Sequence, residues 1–325
     1  MRMNGIEYHG HNMDELLLLL NESTEKEISL ESIKSHPVGG WSNINLHGFT
    51  SSYQVIIKLP VLQNFFETNP YEDEYIHSLA LYRENLSPDP IEYGVLKDRF
   101  GTPFFIRKYV EGRIYKRVDS IPKQSLRTLK NSLNRFSNVT IEDLAEFPRA
   151  SDYLLHLFDQ FEKSIENIGT IPTHLRGYIS RYQKAILEFL GELGDYPKWN
   201  RLVMHSDLHE GNIVFIESNV QLLDVGDICR GNPLYDLAYM YSQGDGPIAD
   251  YSTFPGLDEI QQKELEKLIP LALLSLITWT LTRLVDIHCG IVIKPLMTPE
   301  IVKSLESYLL MKFQQFDTRT KIVHC

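Results

Sequence analysis

The sequence predicts an α+β protein in two lobes: a small N-terminal lobe built on a β-sheet with one helix, and a larger, mainly helical C-terminal lobe. Three observations carry this. Runs rich in β-branched and aromatic residues dominate the first part, and helical periodicity dominates the rest. The length of 325 residues exceeds the roughly 100–200 that one domain usually takes. The texture changes near Gly112, so the expected domains are 1–111 and 112–325.

Taken in order, HNMDELLLLL sets Asn12 three residues before Glu15, a capping box that predicts a short helix. In VGGWSNINLHGFTSSYQVIIKLP, Gly39 and Gly40 mark a turn, and YQVIIKL alternates like a strand ending near Lys58. NPYEDEYIHSLALYREN has Tyr75, Ile76, Leu79 and Tyr82 at helical spacing, an amphipathic helix with Glu72 and Glu74 near its start. EYGVLKD and TPFFIRKYVEG, separated by residues 98–101, read as a hairpin. Beyond Gly112, SLRTLKNSLNRF, ASDYLLHLFDQFEKSIENI and THLRGYISRYQKAILEFLGEL repeat apolar residues every three or four positions. Further helices are expected around 259–288 and 299–316.

Bulk properties narrow the function classes. A formal charge of −11 and a pI near 5.5 oppose binding to nucleic acid or an anionic membrane, which needs clustered Lys and Arg. They tolerate a cationic ligand. Cys229, Cys289 and Cys325 are dispersed and odd in number, which suggests neither a disulfide framework nor a cysteine zinc site, and fits a reducing, cytoplasmic compartment. The leucine run near the start is too short for a signal-peptide core. LIPLALLSLITWTL, 268–281, falls short of the roughly 20 residues of a membrane helix and reads as a buried C-terminal helix.

Chemistry concentrates in MHSDLHEGNIVFIESNVQLLDVGD, residues 204–227. IVF and VQLL read as a hairpin with Ser218 and Asn219 as turn residues. Folded about Ser218, it brings Asn212 and Asp224 together at its open end, with Asp207 in a loop bent by Gly211. Two carboxylates and an amide oxygen form a ligand set suited to Mg²⁺. The chemistry implied is phosphoryl transfer, in which Asp207 orients the attacking hydroxyl while Asn212 and Asp224 hold metal on a nucleoside triphosphate. A rival takes His205, Asp207 and His209 as the metal triad of a hydrolase, but it leaves Asn212 and Asp224 unexplained. The plainest alternative is a polar cap on a turn.

HSDLHEGN, then LLDVGD, then GNPLYDLA resembles the aminoglycoside phosphotransferase and choline kinase family, which has the protein-kinase-like fold. The chain departs from that pattern at Ser206, where the family has glycine, and at Val225-Gly226 after the metal aspartate. The Asp-x-Gly-Asp version resembles a bacterial subgroup of uncharacterised phosphotransferases. The resemblance implies Asp207 as catalytic base, Asn212 and Asp224 as Mg²⁺ ligands, and His205, His209 and Asp236 as supports of the catalytic loop. It implies Lys58 as the strand lysine that neutralises phosphate, with Glu74 as its partner, and Gly39, Gly40, Ser42 and Asn43 as the nucleotide loop. Backbone at Lys108, Tyr109 and Val110 would pair with the base of ATP or GTP.

The acceptor expected is a hydroxyl on a small molecule, cationic acceptors included, with Asp227 and Tyr235 as contacts and Tyr239, Tyr241, Asp245, Trp279 and Asp286 as further candidates. Two alternatives stand beside it, a protein kinase and a catalytically dead nucleotide-binding module. His209, where protein kinases carry a lysine, and the short interval from Asp224 to Asp236 favour a small molecule. No oligomeric state is indicated.

Overall fold

The computed structural model describes residues 8–25, 28–36, 42–61, 69–166, 171–193, 199, 201–292 and 298–323. The chain divides into two compact units. The first is Met1–Gly112 with Gln221–Gly226 and Ile291–Met297; the second is Arg113–Val220, Asp227–Gly290 and Thr298–Cys325.

The first unit contains α1 (Met13–Ser23), β1 (Ser32–Ser35), β2 (Asn43–Phe49), β3 (Gln54–Pro60), α2 (Glu72–Arg83), β4 (Pro90–Val95) and β5 (Pro103–Lys108). The capping box forms as expected: Asn12 accepts from Asp14 and Glu15, and Glu15 accepts from the Asn12 N–H at 2.9 Å. The five strands pair antiparallel in the order β1-β2-β3-β5-β4. β3 is therefore the middle strand. It runs to Pro60, beyond the expected end near Lys58, and it is buried from Val55 onward instead of alternating, because a central strand is covered on both faces.

Side-chain alternation along β3 still decides the site. Val55, Ile57 and Leu59 join the apolar cluster with Leu16 and Leu20 of α1. Lys58 has the opposite parity, so it leaves the sheet on the other face. The β4–β5 turn is set by Asp98, whose carboxylate accepts from the N–H groups of Phe100 and Thr102 and from the Thr102 hydroxyl at 2.7 Å.

One sequence expectation is reversed here. Ile76 and Tyr82 are exposed, whereas Glu74, His77, Ser78 and Leu81 are buried. The α2 face turned inward is the polar one, since it carries groups that bond to Lys58 and to the Val225 carbonyl.

The second unit holds α3 (Lys123–Phe136), α4 (Ala150–Glu166), α5 (Thr173–Glu192), β6 (Leu202–Met204), β7 (Ile213–Ile216), β9 (Cys229–Gly231), α6 (Leu234–Ser242), α7 (Glu259–His288) and α8 (Pro299–Val323). β8 (Asn219–Leu222) pairs with β7, and the unit boundary runs within it. The turn residues are Glu217 and Ser218; Asn219, expected in the turn, already belongs to the strand. α7 packs against α4, α5, α6 and α8. It is long and apolar enough to cross a membrane, yet Leu268 through Thr278 are buried inside this fold, as a core helix requires. Cys229 and Cys289 are free thiols; Cys325 lies outside the described residues.

Candidate active site

In the first unit Lys58 Nζ lies 2.5 Å from Glu74 Oε2 and 2.9 Å from Asp224 Oδ1. β3 supplies the lysine, the first turn of α2 supplies the glutamate, and the Gln221–Gly226 segment returns to this unit with Asp224. Lys58 and Glu74 are each about 5% exposed in their side chains, while Asp224 is 41% exposed. One oxygen-bearing group of the three thus faces outward. Burial alone would lower the Lys58 ammonium, but Asp224 and Glu74 outweigh it and hold the group above its usual range. Burial and the Asp224 charge raise the Glu74 carboxyl against the pull of Lys58.

α2 also fixes the chain after Asp224. His77 Nδ1 meets the Val225 carbonyl at 2.9 Å, three residues along the same helix face from Glu74. Asp224 itself sits at φ 58°, a left-handed conformation that costs a non-glycine residue about 1–2 kcal/mol. Local strain of this kind concentrates at functional positions.

The remaining expected nucleotide residues of this unit divide. Asn43 Oδ1 accepts the Tyr71 hydroxyl at 2.7 Å, and the Tyr71 ring lies 5.6 Å from Lys58 Nζ. Ser42 accepts the Val61 N–H through its carbonyl. Gly39 and Gly40 lie outside the described residues. The N–H groups of Lys108 and Tyr109 already donate to the carbonyls of Asp89 and Gln54, both at 2.9 Å.

In the second unit, β6 and β9 pair antiparallel, Met204 opposite Cys229. These two short strands set the entry to the 205–212 loop beside the start of α6. Gly231 is required there: a Cβ would meet Met204 Sδ at 2.6 Å and Trp199 Nε1 at 2.5 Å. α6 then places Asp236, 2% exposed, under the loop. Its two oxygens accept the His205 N–H at 2.8 and 3.0 Å and the Ser206 N–H at 3.0 Å. Burial pushes the Asp236 carboxyl up to about 7 against those backbone donors.

Ser206 occupies φ 67°, a region glycine enters without penalty. Its hydroxyl donates to the Asp227 carbonyl at 2.8 Å, a bond glycine could not make. His209 Nδ1 accepts the Gly211 N–H at 3.0 Å, so the proton of the neutral ring sits on Nε2, which faces Asp207 Oδ2 at 4.0 Å. Gly211 is a close approach: a Cβ would come within 2.7 Å of that ring.

Asp207 is half-buried and held from several directions. Asn212 Nδ2 donates to its carbonyl at 3.0 Å and approaches Oδ2 at 3.4 Å. This orientation turns the Asn212 amide oxygen away from Asp207, where it can serve as a ligand. The Tyr239 phenol is kept protonated by burial and by the nearby Asp207 charge. His205 is wholly buried beside Phe136. Among the described residues, the His, Cys, Asp and Glu side chains close enough to share an ion are His174, His288 and Glu306. His205, Asp207 and His209 form no such group, which removes the hydrolase triad.

Tyr235 is corrected from acceptor contact to core residue. It is 0% exposed, donates to Ser275 Oγ at 2.6 Å and accepts from Tyr153 at 3.4 Å. Tyr241 and Asp286 are also buried, Asp286 lying 3.8 Å from Arg283. Asp227 is exposed. Sequence reading passed over Lys312 and Glu210. Lys312, 0% exposed, donates to the carbonyls of Ser242 and Gly244, and burial pushes its ammonium down to about 8 against Asp245 and Glu210. A lone lysine in the apolar run YLLMKF was the available signal.

A family model described as the phosphotransferase enzyme family matches residues 39–262. The chain belongs to this family. Solved structures of similar fold include the Plasmodium vivax ethanolamine kinase, 14% identical over 95% of this chain and 91% of that one, TM-score 0.63. The choline kinase of Cryptosporidium parvum Iowa II is 11% identical over 95% and 97%, TM-score 0.58. Spectinomycin phosphotransferase, in complex with ADP and spectinomycin, is 11% identical over 95% and 94%, TM-score 0.55. At these identities the likeness carries the kinase-like fold. Acyl-CoA dehydrogenase family member 11 of Gallus gallus is 26% identical over an alignment of 198 positions that covers 55% of this chain and 23% of that protein. The chain thus spans about a quarter of this curated relative.

Proposed function

We propose that this member of the phosphotransferase enzyme family transfers the γ-phosphoryl group of ATP or GTP, with Mg²⁺, to a hydroxyl of a small molecule. The observation that carries the reading is Lys58 paired at once with Glu74 and Asp224. A buried cation between two carboxylates, one of them partly exposed, is the arrangement that phosphate oxygens and their metal exploit.

Asp207 would accept or orient the acceptor's proton, and the Asn212 amide donates to its backbone carbonyl and reaches its carboxylate at 3.4 Å. Asn212 and Asp224 would hold Mg²⁺; carboxylate and amide oxygens suit a hard cation. When bound, that ion neutralises charge on the transferring phosphates. Lys58 would meet the α and β phosphates. The adenine or guanine edge would be read by the carbonyls of residues 108–110 or the Val110 N–H, since two N–H groups there are committed. Residues 225–233, between Asp224 and α6, leave no length for a long activation segment, which favours a small acceptor over a protein. Asp207, Glu210 and Asp245 around the Tyr308 phenol favour a cationic or neutral acceptor over an anionic one.

The test is Mg²⁺-dependent ADP or GDP release across a panel of aminoglycosides, choline, ethanolamine and hydroxylated metabolites, for wild type and Asp207→Asn. The variant is expected to lose about 10²–10⁴-fold in turnover with an unchanged unfolding midpoint. Equal rates for the two proteins, or no acceptor-stimulated release at all, would sink the reading.

A further inference from the structure

His174 opens α5, His288 closes α7, and Glu306 lies in α8. Three helices that share little sequence proximity therefore deliver two imidazoles and a carboxylate to one place in the second unit. His174 Nε2 and His288 Nε2 are 3.1 Å apart, and His174 Nε2 is 4.0 Å from Glu306 Oε1. The candidate ligand atoms all fall within 4.8 Å of one another. His174 and Glu306 side chains are 50% and 32% exposed, so an ion can reach the place from solvent.

We propose that His174, His288 and Glu306 bind a transition-metal ion of the zinc class, as a clip joining α5, α7 and α8. The spacing argues for it. Metal–nitrogen bonds of about 2.0–2.1 Å to two nitrogens 3.1 Å apart subtend roughly 100° at the ion, close to the tetrahedral angle. The rings meet edge to face at 71°, which lets both lone pairs converge from different planes. Glu306 completes an N₂O set, and water from the exposed side takes the fourth position. Two imidazoles with one carboxylate suit zinc, nickel, cobalt or copper, and suit Mg²⁺ poorly. The clip is therefore chemically separate from the Mg²⁺ of phosphoryl transfer.

Its expected consequence lies in α8. Tyr308 and Lys312 follow Glu306 on that helix, and they hold the carbonyls of Gln243, Ser242 and Gly244. An ion on Glu306 would fasten the helix that holds the 242–244 turn. Binding only to the folded state raises stability by mass action.

The experiment uses the full chain stripped with EDTA and dialysed. Isothermal titration with Zn²⁺ in the presence of excess Mg²⁺ should show one tight equivalent in wild type, and Tm should rise by about 5 °C at saturation. The His174→Ala/His288→Ala double variant should lose both effects, and Glu306→Gln should bind at least tenfold more weakly. In EDTA all three proteins should melt together, because these side chains are on the surface. Co²⁺ loaded into wild type should give visible d–d bands that the double variant lacks. The proposal is overturned if wild type takes up no Zn²⁺ under these conditions, or if the double variant takes up as much and shows the same Tm rise. Mg²⁺-dependent turnover of the double variant, measured in parallel, keeps this outcome independent of the phosphotransferase reading.

Discussion

Lys58, Glu74 and Asp224 in the first unit hold one another by charge, whereas the 205–212 loop in the second unit is held by backbone N–H groups donated to one buried carboxylate, Asp236. The two devices respond differently to change. A charge trio in which one ammonium serves two carboxylates can exchange partners, since each contact is a side chain. A loop whose N–H groups are fixed to Asp236 cannot shift without leaving a buried carboxylate unsatisfied. Adaptable side chains thus surround Lys58, and a rigid backbone stands behind Asp207.

The largest stability effect should follow from breaking the rigid device. Asp236→Ala removes the acceptor of three hydrogen bonds and strands two buried N–H groups, for an expected loss of about 3–5 kcal/mol in urea unfolding. A loss under ~1 kcal/mol would mean that the loop holds its shape without Asp236.

On the other side, Lys58→Met leaves Glu74 and Asp224 as neighbours with no cation. Nucleotide affinity should fall about 10–100-fold, and the free protein should lose about 1–3 kcal/mol, because Glu74, raised already, can take up a proton. Titration with a fluorescent ATP analogue reads the first effect; unchanged affinity would remove Lys58 from phosphate binding.

The pH dependence separates the devices further. Asp236 titrates near 7 in the folded protein and from an ordinary value of 3.8 when unfolded, so the folded state binds the proton more tightly. Its contribution to stability is complete below about pH 4 and is lost as pH rises through about 7. Relative to Asp236→Asn, wild type should lose stability steadily over that window and then level off. A gain in wild-type stability over Asp236→Asn as pH rises would show that the backbone donors outweigh burial.

The smallest effect is expected at Ser206. Ser206→Ala keeps the left-handed φ and removes the bond to Asp227, costing about 1 kcal/mol. Ser206→Gly removes the same bond but relieves about 1 kcal/mol of backbone strain, so its net change should lie near zero. Equal losses for both variants would argue that φ at this position carries no strain.

Much of the site was readable because its parts are close in sequence. Asp207, Asn212 and Asp236 fall in a short stretch where spacing constrains geometry, and Asn12–Glu15 was legible as a cap for the same reason. β6 and β9 were not, since three-residue strands offer no period to detect. α2 misled because Tyr75, Ile76, Leu79 and Tyr82 repeat as a core face would, while the buried face carries Glu74 and His77. Periodicity reports apolar burial, and this helix is buried by ion pairing and a hydrogen bond.

By itself the sequence determined the order of sheet and helices, the family, and the oxygen-rich residues of the candidate site, because residue chemistry and local spacing are written along the chain. Tertiary structure alone decided that Asp224 joins Glu74 on Lys58, that Tyr235 is core while Tyr239 lies near Asp207, and that His174, His288 and Glu306 converge. Each of those depends on the packing of elements far apart in sequence, and no local pattern encodes the distance between them.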